Sequence, residues 1–381
     1  MSAVPAIAPL LTPLALRGVE LRNRIVVSPM QMYSTPQAAP GPFHLVHLGR
    51  FALGGAALVC VEATAVAPEG RSTLHDLGLW SEEQADAFKP ITGFLRQHGC
   101  ASAIQLQHAG RKASSQAPWD GFGPLGAEDA ARGEVPWTAW GPTAAGWSDA
   151  YPPTHPIDAA DVGYLIDCYR RATGLALRAG FDAIEIHAAH GYLLHSFLSP
   201  LANTRSDEFG GPLEGRMRFP LAVARVVREA WPDERPLLFR MSCVDGESIG
   251  WSIDDSIALA RRLRAIGVDA IDCTSGGMSL PSPSHLVARR PGFQVPFARA
   301  IREGAGMPTV AVGLIRSAAQ ANAIVEEGAA DLVALAREAL WNPNFAAQAA
   351  QELGADPAWR SWPRQFGWWL QRRARADRRN R

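Results

Sequence analysis

Eight short apolar runs, separated by stretches of helical periodicity, constrain this 381-residue chain more than any single residue does. They are Arg24–Met30, Ala57–Val66, Ala101–Gln107, Phe181–Ile186, Pro236–Cys243, Asp269–Cys273, Pro308–Leu314 and Asp331–Ala336. Each is nearly continuous in apolar residues rather than alternating, the pattern of a parallel strand covered on both faces. Amphipathic segments lie between them, over Ser81–Gly99, Asp158–Gly180, about Leu213–Trp231, Asp254–Gly267 and Ser317–Gly328. Several end in a glycine, which can take the left-handed turn that closes a helix. This alternation, with no dinucleotide glycine fingerprint after the first strand, predicts an α/β chain folded as a (β/α)8 TIM barrel rather than a doubly wound sheet.

The barrel is expected to occupy residues 1–355, with a tail over 356–381. Residues from about 114 to 155, after the third strand, are rich in Gly, Pro and Trp. An insertion this long is expected to cap an active site, the alternative being a surface excursion with a small core of its own. The tail carries Trp359, Trp362, Trp368 and Trp369, which suits docking onto a second subunit. Its last residues, QRRARADRRNR, read as a solvated, frayed end.

Thirty-seven basic residues against thirty-seven acidic ones give no reason to expect nucleic acid as a partner. No apolar run reaches the ~18 residues of a membrane span, and Met1–Leu16 lacks the basic start of a signal peptide. Cys60, Cys100, Cys168, Cys243 and Cys273 are scattered without metal spacing, as buried thiols in a reducing compartment would be. A cytoplasmic protein is expected.

In such a barrel the active site lies at the C-terminal strand ends. The fourth strand delivers His187, His190 and Tyr192 there. Two neutral imidazoles can donate to one oxygen, and the phenol can give a proton. Metal ligation or a structural role for the histidines is the competing reading, although no carboxylate partner shares their loop. The first strand contributes Ser28, Pro29, Met30, Gln31, Met32 and Tyr33, the second Ala63 and Thr64, and the third Gln105, Gln107, His108, Arg111 and Lys112. Ser275-Gly276-Gly277, Gly313 and Arg337 follow the sixth, seventh and eighth strands and suit a phosphate. Gln105 and Arg240 suit a planar heterocycle with amide-like edges, unless Arg240 is only paired with Glu185 or Asp272.

These residues stand in longer runs: LRGVELRNRIVVSPMQMYS, VEATAV, IQLQHAGRK, EIHAAHGYLLHSFLSPLANTRSDEFGG, LLFRMSCVDG, VAVGLIRSAAQA and LVALARE. Over nearly its whole length the chain resembles the Old Yellow Enzyme family of FMN-dependent ene-reductases, in particular the thermophilic-like bacterial subgroup. The resemblance implies FMN on the strand ends. Pro29, Met30, Gln31 and Ala63 would lie beside the flavin ring, Gln105 at its pyrimidine edge and Arg240 near its N1 side. Gly277, Gly313 and Arg337 would serve the phosphate end. His187 and His190 would grip the substrate oxygen, Tyr192 would supply the proton, and Tyr33 and Lys112 would line the substrate pocket.

The implied activity is NAD(P)H-dependent reduction of the C=C bond of activated alkenes, α,β-unsaturated carbonyl or nitro compounds, with NADPH or NADH as hydride donor. A related reductase of nitro compounds, nitrate esters or aryl-CoA substrates is the first alternative, and a redox-inactive barrel acting as a binding protein the second. Three departures from the family pattern stand out. Gln31 replaces a usual Cys, Ala336 replaces a Gly beside the phosphate, and the tail PRQFGWWL places Trp368 where an arginine usually reaches the neighbouring subunit's site. Trp368 would close that pocket by stacking, in a homodimer or homotetramer.

Overall fold

Strand side chains alternate between two faces, so a chain of apolar runs can bury both only by putting one set inside a barrel and the other under helices. The computed structural model, which describes residues 8–35, 37–278 and 287–379, has this architecture. Strands β1 (Ile25–Val27), β2 (Leu58–Ala65), β3 (Ala101–Gln107), β4 (Ala183–Ala188), β5 (Leu237–Ser242), β6 (Ala270–Thr274), β7 (Thr309–Ala311) and β8 (Leu332–Leu335) close in sequence order into one barrel. Every neighbouring pair is parallel, including β8 with β1.

Around it lie α1 (Pro42–Leu53), α2 (Glu82–Gln97), α3 (Ala159–Ala179), α4 (Leu213–Ala230), α5 (Ile253–Ile266), α6 (Val295–Ala305) and α7 (Ala318–Glu326). The expected helices begin and end where side-chain chemistry dictates. Ser81 Oγ accepts from the Gln84 N–H at 3.3 Å while Gln84 Oε1 accepts from the Ser81 N–H at 3.1 Å. Asp158 and Asp161 form the same reciprocal box on α3, and Ser252 and Asp255 on α5. Each box is worth about 1 kcal/mol. Gly180 and Gly267 end α3 and α5 at φ +83° and +100°.

Three elements depart from expectation. The sequence reading did not identify α1 or α6. α1 has an apolar, histidine-bearing sequence with little polar face, while the Pro in the first turn of each is a start signal that the reading passed over. After α8 (Arg337–Trp341) and α9 (Phe345–Glu352), the basic tail continues as a helix, α10 (Arg364–Arg379), rather than fraying after residue 371. The insertion packs partly on itself and partly against the rim. Leu125, Asp129 and Trp147 are buried within it, while Trp119 packs edge-on against Tyr33 at a centroid distance of 5.7 Å.

The barrel interior is layered by the two-residue strand period. Its lower layers hold Val26, Leu58, Cys60, Ala103, Ala183, Leu238, Ala270, Val310, Leu332 and Ala334. An N-terminal hairpin (Leu14–Leu16 with Val19–Leu21) covers these layers from below, burying Leu16 and Leu21 against them. Two residues further along four consecutive strands, the same face carries Gln105, Glu185, Arg240 and Asp272, all buried. Apolar below and polar above, the barrel presents its chemistry at the C-terminal rim.

Candidate active site

The β4 strand carries His187 near its end, and the turn that follows it carries His190. His190 takes φ +58° and Gly191 φ +77°, so the loop folds back and aims both imidazoles inward. The His187 and His190 rings lie 5.2 Å apart, and the Tyr192 ring packs edge-on against His187 at 5.0 Å. The loop is held from several sides. The His190 N–H donates to Ser242 Oγ at 2.9 Å, its Nε2 lies 3.0 Å from Thr274 Oγ1, and its carbonyl accepts from Lys112 Nζ at 2.6 Å. The Gly191 N–H donates to His195 Nδ1, whose other nitrogen faces buried Asp245 at 2.8 Å. Burial, and then the positive charge of Arg240, hold both His187 and His190 well below the ordinary imidazole pKa. Both are therefore neutral at physiological pH.

Burial, followed by the nearby Asp76 charge, pushes the Tyr192 phenol up to about 12, so it stays protonated. Its hydroxyl donates to Gln31 Oε1 at 3.0 Å. Lys112 stacks over Trp147 at 3.9 Å, and burial, with Arg111 adding to it, brings its ammonium down to about 7. Tyr33 approaches the Gln31 carbonyl oxygen at 3.5 Å.

Beside His190 a cavity of about 690 Å³ opens over the ends of β5 to β8. Of the sequence-expected residues, His190, Arg240, Ser275, Gly276, Gly277, Gly313 and Arg337 line it together. Gly313 adopts φ +114° and Leu314 follows at φ +54°, a backbone that turns successive N–H groups toward one side. Arg289 and Arg316 add positive charge, and Phe293 and Gln294 add a wall. The sequence reading missed these four, because they lie in segments to which it gave no element or role.

Deeper in the barrel, Gln105 Nε2 donates to Glu185 Oε1 at 2.6 Å, and Arg240 donates to Ser28 Oγ at 3.2 Å while lying 3.5 Å from Asp272. The ion pair set against a flavin role for Arg240 thus exists, yet the guanidinium still faces the cavity. Ala63 sits at the register shift between Val61 and Thr64 on β2, and Met30 packs against the core just beyond β1. Among the described residues, His187 Nδ1, Arg240 Nε, Asp272 Oδ1 and both amide atoms of Gln107 are buried without a hydrogen-bond partner. These unpaired polar atoms lie toward the C-terminal end of the barrel, where a polar ligand could satisfy them. Trp368 stands apart: it is half exposed on α10, against Trp369 and Arg372. Among the described residues no group of three or more His, Cys, Asp or Glu could hold a metal ion, and no helix is long and apolar enough to cross a membrane.

A parallel barrel with a cationic, glycine-turned cradle on β6–β8 and buried hydrogen-bonding groups beneath it defines a flavin-dependent oxidoreductase. The chain belongs to the NADH:flavin oxidoreductase / NADH oxidase family, whose sequence profile matches residues 9–356, and within it to the Old Yellow Enzyme homologues. It is 40% identical over 347 residues to an NADPH dehydrogenase of Geobacillus thermodenitrificans, covering 91% of this chain and 94% of that one. It is 39% identical over 349 residues to the NADPH dehydrogenase of Bacillus subtilis, covering 91% and 96%. Morphinone reductase superposes with a TM-score of 0.73 at 25% identity, over 91% of this chain and 90% of that one. The old yellow enzyme homologue from Zymomonas mobilis gives 0.73 at 25%, over 90% and 92%. FMN is the cofactor and NAD(P)H the reductant.

Proposed function

We propose that this enzyme reduces the C=C bond of activated alkenes, α,β-unsaturated carbonyl or nitro compounds. The observation that carries the reading is the pair of neutral imidazoles 5.2 Å apart, His187 buried and His190 partly open to the cavity, with a protonated phenol against His187. Arg240, Gln105, Gly277, Gly313 and Arg337 would hold FMN, with Pro29, Met30, Gln31 and Ala63 along its ring. Bound FMN supplies the two-electron step, accepting a hydride from NAD(P)H and returning one to the acceptor.

The rest is the work of the chain's own side chains. His187 and His190 each offer an N–H to the substrate's carbonyl or nitro oxygen. Being neutral, they draw electron density toward that oxygen without requiring a counterion, and each such donor is worth about 10²–10³ in rate. Polarisation leaves the β-carbon electron-poor, and Tyr192 gives its proton to the α-carbon. Tyr33 and Trp119 wall the substrate side, and Lys112 holds the histidine loop by its carbonyl. Trp368 closes the pocket of a neighbouring subunit in a homodimer or homotetramer.

The test is anaerobic turnover of cyclohex-2-enone by the FMN-loaded enzyme with NADPH, with product analysis. Cyclohexanone formed at a rate lowered at least 10²-fold in His187→Ala and in Tyr192→Phe supports the reading. NADPH consumption only with oxygen or a quinone, and no saturated product, overturns it.

A further inference from the structure

The Tyr192 hydroxyl faces an amide, and that amide is held by a buried acid. Gln31 Oε1 accepts from Tyr192 at 3.0 Å, and Gln31 Nε2 donates to Asp76 Oδ2 at 2.9 Å. Asp76 is fully buried and is fixed by two further donors, the Ser72 N–H at 2.6 Å and Thr73 Oγ1 at 2.8 Å. An amide has one accepting end and one donating end, so its orientation is dictated by whichever neighbour cannot change role. An ionised carboxylate can only accept. It therefore turns the NH2 of Gln31 toward itself and the carbonyl toward Tyr192.

We propose that Asp76 and Gln31 form a positioning pair that decides whether the Tyr192 proton points into the protein or toward the substrate. With Asp76 ionised, Gln31 accepts the phenolic proton and holds it away from the pocket. With Asp76 protonated, its O–H donates to the Gln31 carbonyl, the amide turns over, and the NH2 donates to the phenol oxygen. The proton of Tyr192 is then free for the α-carbon, and the tyrosinate left behind finds a donor already in place. No bond in Gln31 breaks: Asp76 takes up one proton from solvent when the pair switches, and the proton delivered to the α-carbon is the one that Tyr192 gives up. The inference rests on the reading of Tyr192 as proton donor.

Titration of Asp76 falls in the working range, because burial lifts its carboxyl to about 6 against the pull of its Thr73 and Ser72 donors. Glu62 and Arg71 face Asp76 from β2 and from its own loop. His187, Lys112, Tyr33 and Tyr151 face Tyr192. Lys112, brought to about 7, also titrates near neutrality, so a test must separate the two.

The decisive measurement is the ζ-carbon NMR resonance of tyrosine in the FMN-loaded enzyme with 13C-labelled tyrosine, from pH 5 to 8. The chain has five tyrosines, and Tyr192→Phe identifies the signal. The expected result is a step in the Tyr192 resonance centred near pH 6, absent in Asp76→Asn. In stopped flow the oxidative half-reaction with the enone slows severalfold through the same pH, while the reductive half-reaction with NADPH does not. Gln31→Leu keeps Asp76 and its Ser72 and Thr73 donors, and its loss of the step serves where Asp76→Asn fails to fold. A flat resonance in the unaltered enzyme, or a step that survives in either variant, overturns the proposal and assigns any inflection to Lys112. An NMR step without alkene reduction retains the pair and rejects the proposed function instead.

Discussion

A single methyl group tests whether the position of His190 matters, because the loops after β4 and β6 meet backbone to backbone. A Cβ added to Gly277 would lie 2.4 Å from His190 Cα and 2.5 Å from its carbonyl carbon. Ordinary contact begins at 3.4 Å, so the His190 backbone must retreat by about 1 Å, a displacement that can cost about 10²-fold in rate. His190 cannot retreat freely, since Ser242 holds its N–H and Lys112 its carbonyl. Gly277 also sits at φ +96°, where a side chain adds about 1–3 kcal/mol of strain.

Gly277→Ala is therefore expected to lower kcat/KM for the enone about 10²-fold. Flavin content and the rate of flavin reduction by NADPH serve as controls. Titration with a simple phenol provides a direct reading of the histidine pair. The long-wavelength charge-transfer band of a phenolate held over the flavin should need far more ligand to appear. Wild-type turnover with an unshifted phenol titration would refute the reasoning, and flavin lost in step with the rate would move Gly277 from the histidine loop to the cofactor.

Asp76 titrates at about 6 in the folded chain against 3.8 ordinarily, so the folded state keeps a proton that the unfolded state releases. Its stabilising effect is present below pH 4 and is lost as pH rises through 6; denaturant unfolding of Asp76→Asn relative to the unaltered chain should shift in the variant's favour by on the order of 3 kcal/mol between pH 4 and 7. A pH-independent difference would refute it. Phe197 and Phe219 stack edge-on at 4.9 Å with no exposed surface, so Phe197→Ala should cost about 3–5 kcal/mol in urea unfolding; a loss below 1 kcal/mol would mean that the site collapses around the gap. Trp368→Ala should raise the KM for the enone severalfold at unchanged kcat and subunit mass, and an unchanged KM would remove α10 from the neighbouring pocket.

The barrel was legible because parallel strands buried on both faces must be apolar throughout, and because capping boxes and terminal glycines fix helix ends locally. The histidine and phenol cluster was legible for a similar reason: His187, His190 and Tyr192 are neighbours in sequence, and the loop needs only a tight turn to gather them. Asp76 was not. Its partner Gln31 lies 45 residues away and meets it only where β1 and β2 stand side by side, so in the run STLHDLGLW it reads as one more loop acid. The cavity wall at Phe293 and Gln294 was hidden likewise, since both stand just before α6 and meet the cavity only once that helix packs beside β6 and β7.

The hairpin beneath the barrel has a consequence for how the chain reaches this state. Arg17 Nε bonds Asp269 at 2.7 Å across 252 residues, and the Gly18 N–H reaches the Glu234 carbonyl at 2.8 Å. At roughly 5–20 residues per second of synthesis, the partners of the hairpin leave the ribosome some tens of seconds after it does. Until then Leu14, Leu16, Val19 and Leu21 have no floor to seal. The first strands made are among the last seated, and closing the barrel and docking its plug become one late, concerted event. A chain halted before β6 would carry an apolar ribbon in search of an edge to pair with, which makes incomplete chains natural clients of a chaperone.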